Sequence, residues 1–117
     1  MLLHKVKSSN SREVLIAGSF APDTANPPTG LLGVGFTVAR SGTGEFTVTF
    51  ATKFPSLIAG AATLELNSAD DKFLQLGPYD SSAGTLKIRN WDISGAAVAD
   101  IAAHANNRVN FVCIFER

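Results

Sequence analysis

The sequence predicts an all-β fold, an antiparallel, jelly-roll-like sandwich of about seven to eight strands. Two observations predict it. Apolar residues alternate with polar ones along short segments, and clusters of Gly, Pro, Asn, Asp and Ser separate those segments. A chain of 117 residues is long enough for one domain with its own core. We therefore divide it into an extended N-terminal arm, residues 1–30, and a sandwich body, residues 31–117.

The arm contains one predicted strand, residues 12–18. Its apolar centre consists of Val14, Leu15 and Ile16. Residues 21–30 follow and hold three of the five prolines, so we expect an extended loop there, because proline fixes φ and has no N–H to donate. Leu2 and Leu3 have no evident core to join. An arm that crosses to a neighbouring copy would use them as contact residues and add its strand to the neighbour's sheet edge.

The body begins with a predicted hairpin. Apolar residues occupy alternate positions in residues 34–39 and again in residues 45–50, which is typical of half-buried strands. The connection between them includes Gly42 and Gly44, and it suits a hairpin with a bulge or a four-residue turn.

Further strands are predicted at residues 62–67, 72–76, 85–90 and 108–115. The chain breaks before them at Pro55, because proline cannot continue a central ladder. Turn residues separate the next strands at 67–71 and at 77–84. Residues 96–105 are rich in alanine, which favours a helix, yet the run is short and bracketed by turn residues. A strand or an irregular crossing is the favoured interpretation there, and a helical turn is the second.

The charge balance argues against two classes of partner. Ten basic residues match ten acidic ones, and the charged fraction of 17% is low against about 25% in typical domains. Such a chain has no net field to attract nucleic acid or an anionic membrane, so we expect neither partner. The N-terminus lacks the apolar stretch of a signal peptide, and no run of 18 apolar residues occurs. We therefore expect the chain to fold in a reducing cytosol.

Catalytic and metal-binding patterns are weak. The two histidines, His4 and His104, lie a hundred residues apart, and a zinc site needs three or four ligands at compatible spacing. Cys113 lies in an apolar run, which predicts a buried side chain. No Gly-x-Ser-x-Gly elbow is present. We expect no catalytic residue, no metal and no cofactor, and hence a protein that is not an enzyme.

Two aromatic residues are candidates for contact with a partner or a ligand. Tyr79 and Trp91 are the only Tyr and Trp, and a ring with a polar group suits an interface or a sugar-stacking platform. The alternative for Trp91 is a structural one, in which it covers the core at the end of a strand.

A resemblance to a known group of proteins rests on the hairpin and the last strand. Residues 42–50 followed by Phe54-Pro55-Ser56, together with residues 107–115, resemble a recurrent pattern of tailed-phage virion proteins, and the strand pattern spans residues 33–117. That group includes capsid decoration (cement) proteins and the head or tip domains of tail fibres, which are often jelly-roll-like and trimeric. The hairpin is also similar to H-type lectin domains, six-stranded sandwiches that trimerise and bind sugars.

The resemblance implies a virion protein that is made in the host cytoplasm. Its expected partners are copies of itself, with a trimer favoured, and the major capsid protein or other virion proteins. The leading expectation is a capsid decoration protein that stabilises the shell. The alternative is a tail-fibre tip or lectin-like module that binds a glycan through loops around Tyr79 and Trp91.

Overall fold

A computed structural model describes residues 12–117. The described residues form nine strands in two antiparallel sheets that face each other across one core. In chain order the strands are β1 (Glu13–Ala21), β2 (Thr29–Leu32), β3 (Phe36–Gly42), β4 (Glu45–Phe50), β5 (Ser56–Glu65), β6 (Lys72–Asp80), β7 (Thr85–Asp92), β8 (Ala97–Val98) and β9 (Arg108–Glu116). The predicted all-β antiparallel sandwich is confirmed. The strand count exceeds the prediction because β2 and β8 are too short to show a periodic pattern.

The first sheet has the order β2-β1-β9-β5, so the last strand lies between the first and the fifth. Along β1, Leu15 pairs with Ile114 and Ala17 with Val112 of β9. The predicted arm strand therefore pairs within its own chain and belongs to the sandwich. Residues 13–32 supply two strands of this sheet, so the sheet extends across the boundary that we drew at residue 30.

The second sheet has the order β3-β4-β7-β6, with the short β8 beside β7. The predicted hairpin is β3–β4, and its ladder shifts register between Arg40 and Gly42, as expected for a bulge next to a glycine-rich turn. Gly44 turns the chain with φ of +62°, a conformation that side chains with a Cβ rarely adopt.

The predicted proline-rich loop is shorter than expected. Thr29–Leu32 form β2, which pairs with β1 at the sheet edge. Arg108 of β9 holds this edge, because its Nε donates to Ser19 Oγ at 2.8 Å and its Nη2 donates to the Gly30 carbonyl. The extended loop therefore ends at Pro28. The residues that follow pair with β1, and the contacts of Arg108 stabilise that pairing.

Two further strand boundaries differ from the prediction. β6 runs through Gly77-Pro78, where we expected a turn, and its register with β7 shifts between Leu76 and Tyr79. It tolerates the proline because it is an edge strand, where an N–H need not join a ladder. β5 begins at Ser56, six residues earlier than predicted, directly after Pro55.

The core consists of the inward side chains of both sheets. Its buried apolar residues are Phe20, Phe46, Val48, Phe50, Phe54, Leu86, Ile88, Ile101, Val109, Phe111, Cys113 and Phe115. Aromatic rings gather around Phe115, with Phe54 stacked on it at 4.5 Å between ring centroids and Phe50 edge-on at 4.7 Å. The buried position predicted for Cys113 is confirmed, since none of its side chain is exposed.

Residues 99–101 close one end of the sandwich. Asp100 accepts hydrogen bonds from Arg40 Nη2 at 3.1 Å and from the Gly44 backbone N–H at 2.8 Å. The side-chain amide of Asn90 donates to the Ala99 carbonyl at 2.7 Å, and Ile101 inserts into the core. The ambiguous segment 96–105 is therefore a two-residue strand followed by irregular chain, the interpretation that we favoured.

The packing of residues 99–101 against the turn predicts unequal effects for substitution of two glycines, Gly42 and Gly44. A Cβ at Gly44 would lie 2.4 Å from the Ala99 carbonyl oxygen, and its φ is positive, whereas a Cβ at Gly42 meets nothing within 4 Å. We expect Gly44→Ala to lower the free energy of unfolding by at least about 2 kcal/mol, and Gly42→Ala to change it by less than about 0.5 kcal/mol. Urea denaturation followed by circular dichroism measures both, and equal losses would contradict the close packing of the turn on residue 99.

Candidate functional site

The outward surface of the first sheet is apolar at its centre. Two cross-strand rows occupy it, one that crosses β9 at Val112 and one that crosses it at Ile114. We call this surface the apolar face, and its members are Leu15, Ala17, Ala59, Ala61, Val112 and Ile114. Leu15 is 49% exposed and Val112 is 38% exposed. The sandwich therefore covers one side of this sheet and leaves apolar side chains of its central strands open on the other.

Polar rows border the apolar face at both ends. At one end Ser56 donates a hydrogen bond to Glu116, which lies opposite both Ser56 and Glu13. At the other end Asn110 lies between Ser19 and Thr63. An apolar centre with a polar rim is the usual arrangement of a protein–protein interface.

The outward surface of the second sheet has a different chemistry. Glu45 on β4 accepts from Arg89 Nε at 3.0 Å and from Lys87 Nζ at 3.2 Å, both on the neighbouring β7. Ser41 Oγ also donates to Glu45 at 3.0 Å, and Thr47 donates to Ser41. We call this surface the charged face, and its polar groups bond to one another across three strands.

The charged face stabilises the ionised form of Glu45. Partial burial opposes the charge, but the hydrogen bonds from Arg89, Ser41 and Lys87 outweigh it, so the pKa of Glu45 falls below its ordinary 4.5. Covering this surface with an apolar partner would remove water from charges that already have partners, which is costly. The two faces therefore differ in how readily they can be buried.

An aromatic pair lies at one end of the charged face. Phe73 on β6 is directly opposite Trp91 on β7, with rings 13° from parallel and centroids 6.5 Å apart. The indole N–H of Trp91 donates to Gln75 Oε1 at 2.9 Å. Phe73 is 46% exposed, although it lies on a strand whose inward residues join the core. The sequence indicates Trp91 as a contact candidate but not Phe73, because Phe73 has the alternating context of a core residue.

Tyr79, the other aromatic candidate, is half-buried against the core. Its ring lies 5.1 Å from that of Phe115, and its hydroxyl donates to the Phe54 carbonyl at 2.8 Å. Burial raises the pKa of Tyr79 above its ordinary 10.0, against the smaller opposing effect of that hydrogen bond. Tyr79 and Trp91 point to opposite sides of the second sheet, so the structure does not bring them together.

The residues of the predicted arm divide between the two sides of the first sheet. Val14 and Ile16 pack against the core, while Leu15 points outward onto the apolar face. Leu2 and Leu3, the other candidate contact residues, lie outside the described residues.

A polar cleft of about 300 Å³ opens between residues 66–72 and residues 100–107. His104 lies in its wall and accepts a hydrogen bond from the Asn106 N–H at Nδ1, so its Nε2 carries the proton of the neutral ring. The acids that line the cleft are engaged by cations, Asp100 by Arg40 and Asp70 by Lys72. The cleft therefore contains paired polar groups and one imidazole donor.

Residues 12–117 contain neither a candidate metal-binding cluster nor a candidate membrane-spanning helix. No three His, Cys, Asp or Glu side chains in that range are placed to hold a metal ion together. No helix in that range has the length and apolarity needed to cross a membrane. Comparison of the chain with protein-family models, curated proteins and solved structures finds no match.

Burial of Cys113 predicts a loss of stability in alkali. Burial raises the pKa of the thiol from its ordinary 9.0 to about 11. The unfolded thiol ionises first, so the stabilisation is complete below pH 9 and is lost as the pH rises through 11, by about 2–3 kcal/mol.

We expect Cys113→Ala to be less stable at pH 7, because it leaves a small cavity, but to lose less stability between pH 9 and 11. Urea denaturation at intervals of half a pH unit measures the difference. Tyr79 is present in both proteins and shifts both curves in the same direction, so it cancels. If the free energy of unfolding fell equally with pH in the two proteins, the raised pKa of Cys113 would be contradicted.

Proposed function

We propose that this chain is a structural protein of a tailed-phage particle that acts by binding, as an oligomer that decorates the capsid. Its copies associate through the apolar face, and the oligomer binds the major capsid protein and stabilises the assembled shell. The virion is its place of action, and the proposal involves no catalysis.

The observation that carries this proposal is the contrast between the two outward surfaces. A sandwich that stands alone in water normally places polar residues on both. Here the charged face does so, whereas the apolar face leaves Leu15 and Val112 exposed and Ile114 half-buried. This apolar face is one place where the low charged fraction of the chain, 17%, shows on the surface. Contiguous apolar surface with a polar rim supports a permanent protein contact.

Shape and size support a second copy as the occupant of the apolar face. The larger side chains of β1 and β9 form a ridge beside the small Ala59 and Ala61 of β5. The ridge of one copy therefore fits the trough of another, either reciprocally in a dimer or around a ring in a trimer. The two apolar rows present roughly 200 Å² in projection. Together with the polar rows around them, the three strands present roughly 500 Å², against about 800 Å² per partner of a standard interface.

The virion assignment is supported by the resemblance of the hairpin and the last strand to phage proteins. The hairpin residues 42–50 lie in the second sheet, and residues 108–116 form the centre of the first. A second candidate is a module at the tip of a tail fibre that binds a receptor glycan. The observation that favours it is the exposed ring of Phe73 beside Trp91.

The apolar face predicts the effect of one buried charge on assembly. We expect the wild-type protein to sediment as an oligomer of its 12.3 kDa chain, with a trimer favoured, and Val112→Lys to sediment as a monomer. Lysine at the centre of the face would carry an unpaired charge into the contact. Analytical ultracentrifugation at micromolar concentration measures both masses.

Thr49→Lys is the matched control, because Thr49 is an exposed residue on the outward side of β4. We expect this variant to remain an oligomer. A wild-type monomer whose mass does not change with concentration would contradict association. If Thr49→Lys dissociated to the same extent as Val112→Lys, association through the apolar face would be contradicted.

Capsid decoration predicts a high copy number and a measurable effect on the particle. We expect hundreds of copies per purified virion by quantitative mass spectrometry, and earlier loss of packaged DNA on heating when the protein is absent. A protein that binds only the assembled shell stabilises it by mass action. Adding purified wild-type protein should restore heat resistance. Unchanged heat resistance contradicts decoration, and a handful of copies favours the fibre tip.

A further inference from the structure

We propose that Phe73, Trp91 and Gln75 form a shallow binding site for a neutral saccharide on the charged face. This site lies on a different surface from the apolar face, and it specifies the ligand class and the contact residues of the second candidate function, on which it rests. The two rings lie on adjacent strands, near-parallel, and Phe73 stands on the edge strand β6 with 46% of its surface exposed.

Gln75 fixes the orientation of Trp91, and we call the Phe73 and Trp91 rings together the platform. It lies two residues after Phe73 and on the same side of the strand, and its Oε1 accepts the indole N–H of Trp91 at 2.9 Å. This bond restricts the rotation of the indole ring in the free protein, so ligand binding loses less side-chain conformational entropy. The amide nitrogen of Gln75, which the indole does not use, carries two donors for a hydroxyl group.

The surrounding charges favour an uncharged ligand. Arg89 is paired with Glu45 at 3.0 Å, and Lys72 lies 3.3 Å from Asp70 and 3.8 Å from Asp92. Both cations thus have acidic partners, and an anionic ligand would have to compete with those partners. A pyranose has an apolar C–H face to stack on a ring and hydroxyls at its edge for the amide, so it matches both halves of the site.

The size of the patch argues against a protein partner. An aromatic side chain buries about 150–250 Å², so two partly exposed rings offer far less than the about 800 Å² per partner of a standard protein interface. Addition of a strand to β6 is also disfavoured, because Pro78 and a register shift interrupt that edge. One or two sugar rings cover such a platform.

The single tryptophan makes the site directly observable. Excitation of Trp91, and the one indole N–H cross-peak in a 1H–15N spectrum, report on the platform alone. The probes are galactose, N-acetylglucosamine, maltotriose and chitotriose, with sialyllactose and a ten-nucleotide oligo-dT as charged comparisons. We expect at least one neutral saccharide to shift both signals in a saturable way, and the charged probes to bind at least tenfold more weakly.

Variants separate stacking from a general effect on the fold. We expect Phe73→Ala to weaken saccharide binding at least tenfold and Phe73→Tyr to retain it, because tyrosine keeps the ring. Gln75→Ala should also weaken binding. Ile93→Ala is the matched control, since Ile93 is an exposed apolar residue in the turn after β7, and we expect it to bind as the wild type does.

Three outcomes would overturn the inference. They are no saturable shift with any neutral saccharide, equal weakening by Ile93→Ala, and a response to the oligonucleotide alone. The Val112→Lys monomer should bind a saccharide in solution as the wild type does, yet lose retention on a surface that carries many copies of it, because linked sites add avidity. Failure of self-association therefore leaves the saccharide site testable, and failure of the site leaves the oligomer testable.

Discussion

The position of β9 is the constraint on which the rest of the structure depends. It lies between β1 and β5, and its inward residues, Val109, Phe111, Cys113 and Phe115, form the middle of the core. A central strand with apolar residues at Val112 and Ile114 on the other side needs cover on both faces. The second sheet covers only one. The exposed apolar surface is therefore a consequence of placing an apolar strand at the centre of a two-layer fold, where water meets its outer side.

The second sheet instead exposes paired polar side chains to water, so the two outward surfaces of the molecule differ. Glu45 accepts hydrogen bonds from Arg89, Lys87 and Ser41. The charged groups of this surface are therefore already paired, and burying them under a partner would be unfavourable. Self-association through this side would have to desolvate that network, whereas the centre of the first sheet presents apolar side chains inside a polar rim. An oligomer built on the apolar face would leave the charged face and its aromatic end outward. The proposed self-association and the proposed saccharide site would therefore use opposite sides of the domain.

The ends of the sandwich rely on polar contacts between distant segments. Asp100 bonds to Arg40 and to the backbone of Gly44, which lie about sixty residues earlier in the chain. Asn107, also buried, accepts from the Asn67 N–H and donates to the Ala102 carbonyl. These bonds provide hydrogen-bond partners for backbone groups of irregular segments, among them the N–H of the buried Gly44. The alanine-rich run is thus held against the core in a conformation that its helix propensity disfavours, because tertiary contacts outweigh a preference of a few tenths of a kcal/mol per residue.

The sequence by itself determined the fold class, the β3–β4 hairpin and the burial of Cys113, because strand periodicity and glycine turns are local signals. It did not determine that Thr29–Leu32 would pair, or that β6 would continue past Pro78, since both depend on lying at a sheet edge. Only the tertiary structure decided which apolar residues face water. Leu15 and Phe73 have the same alternating context as buried residues, and strand order and register alone place them outside. Tyr79 and Trp91 looked equivalent for the same reason, until the register shift at Gly77-Pro78 turned one towards the core and left the other on the surface.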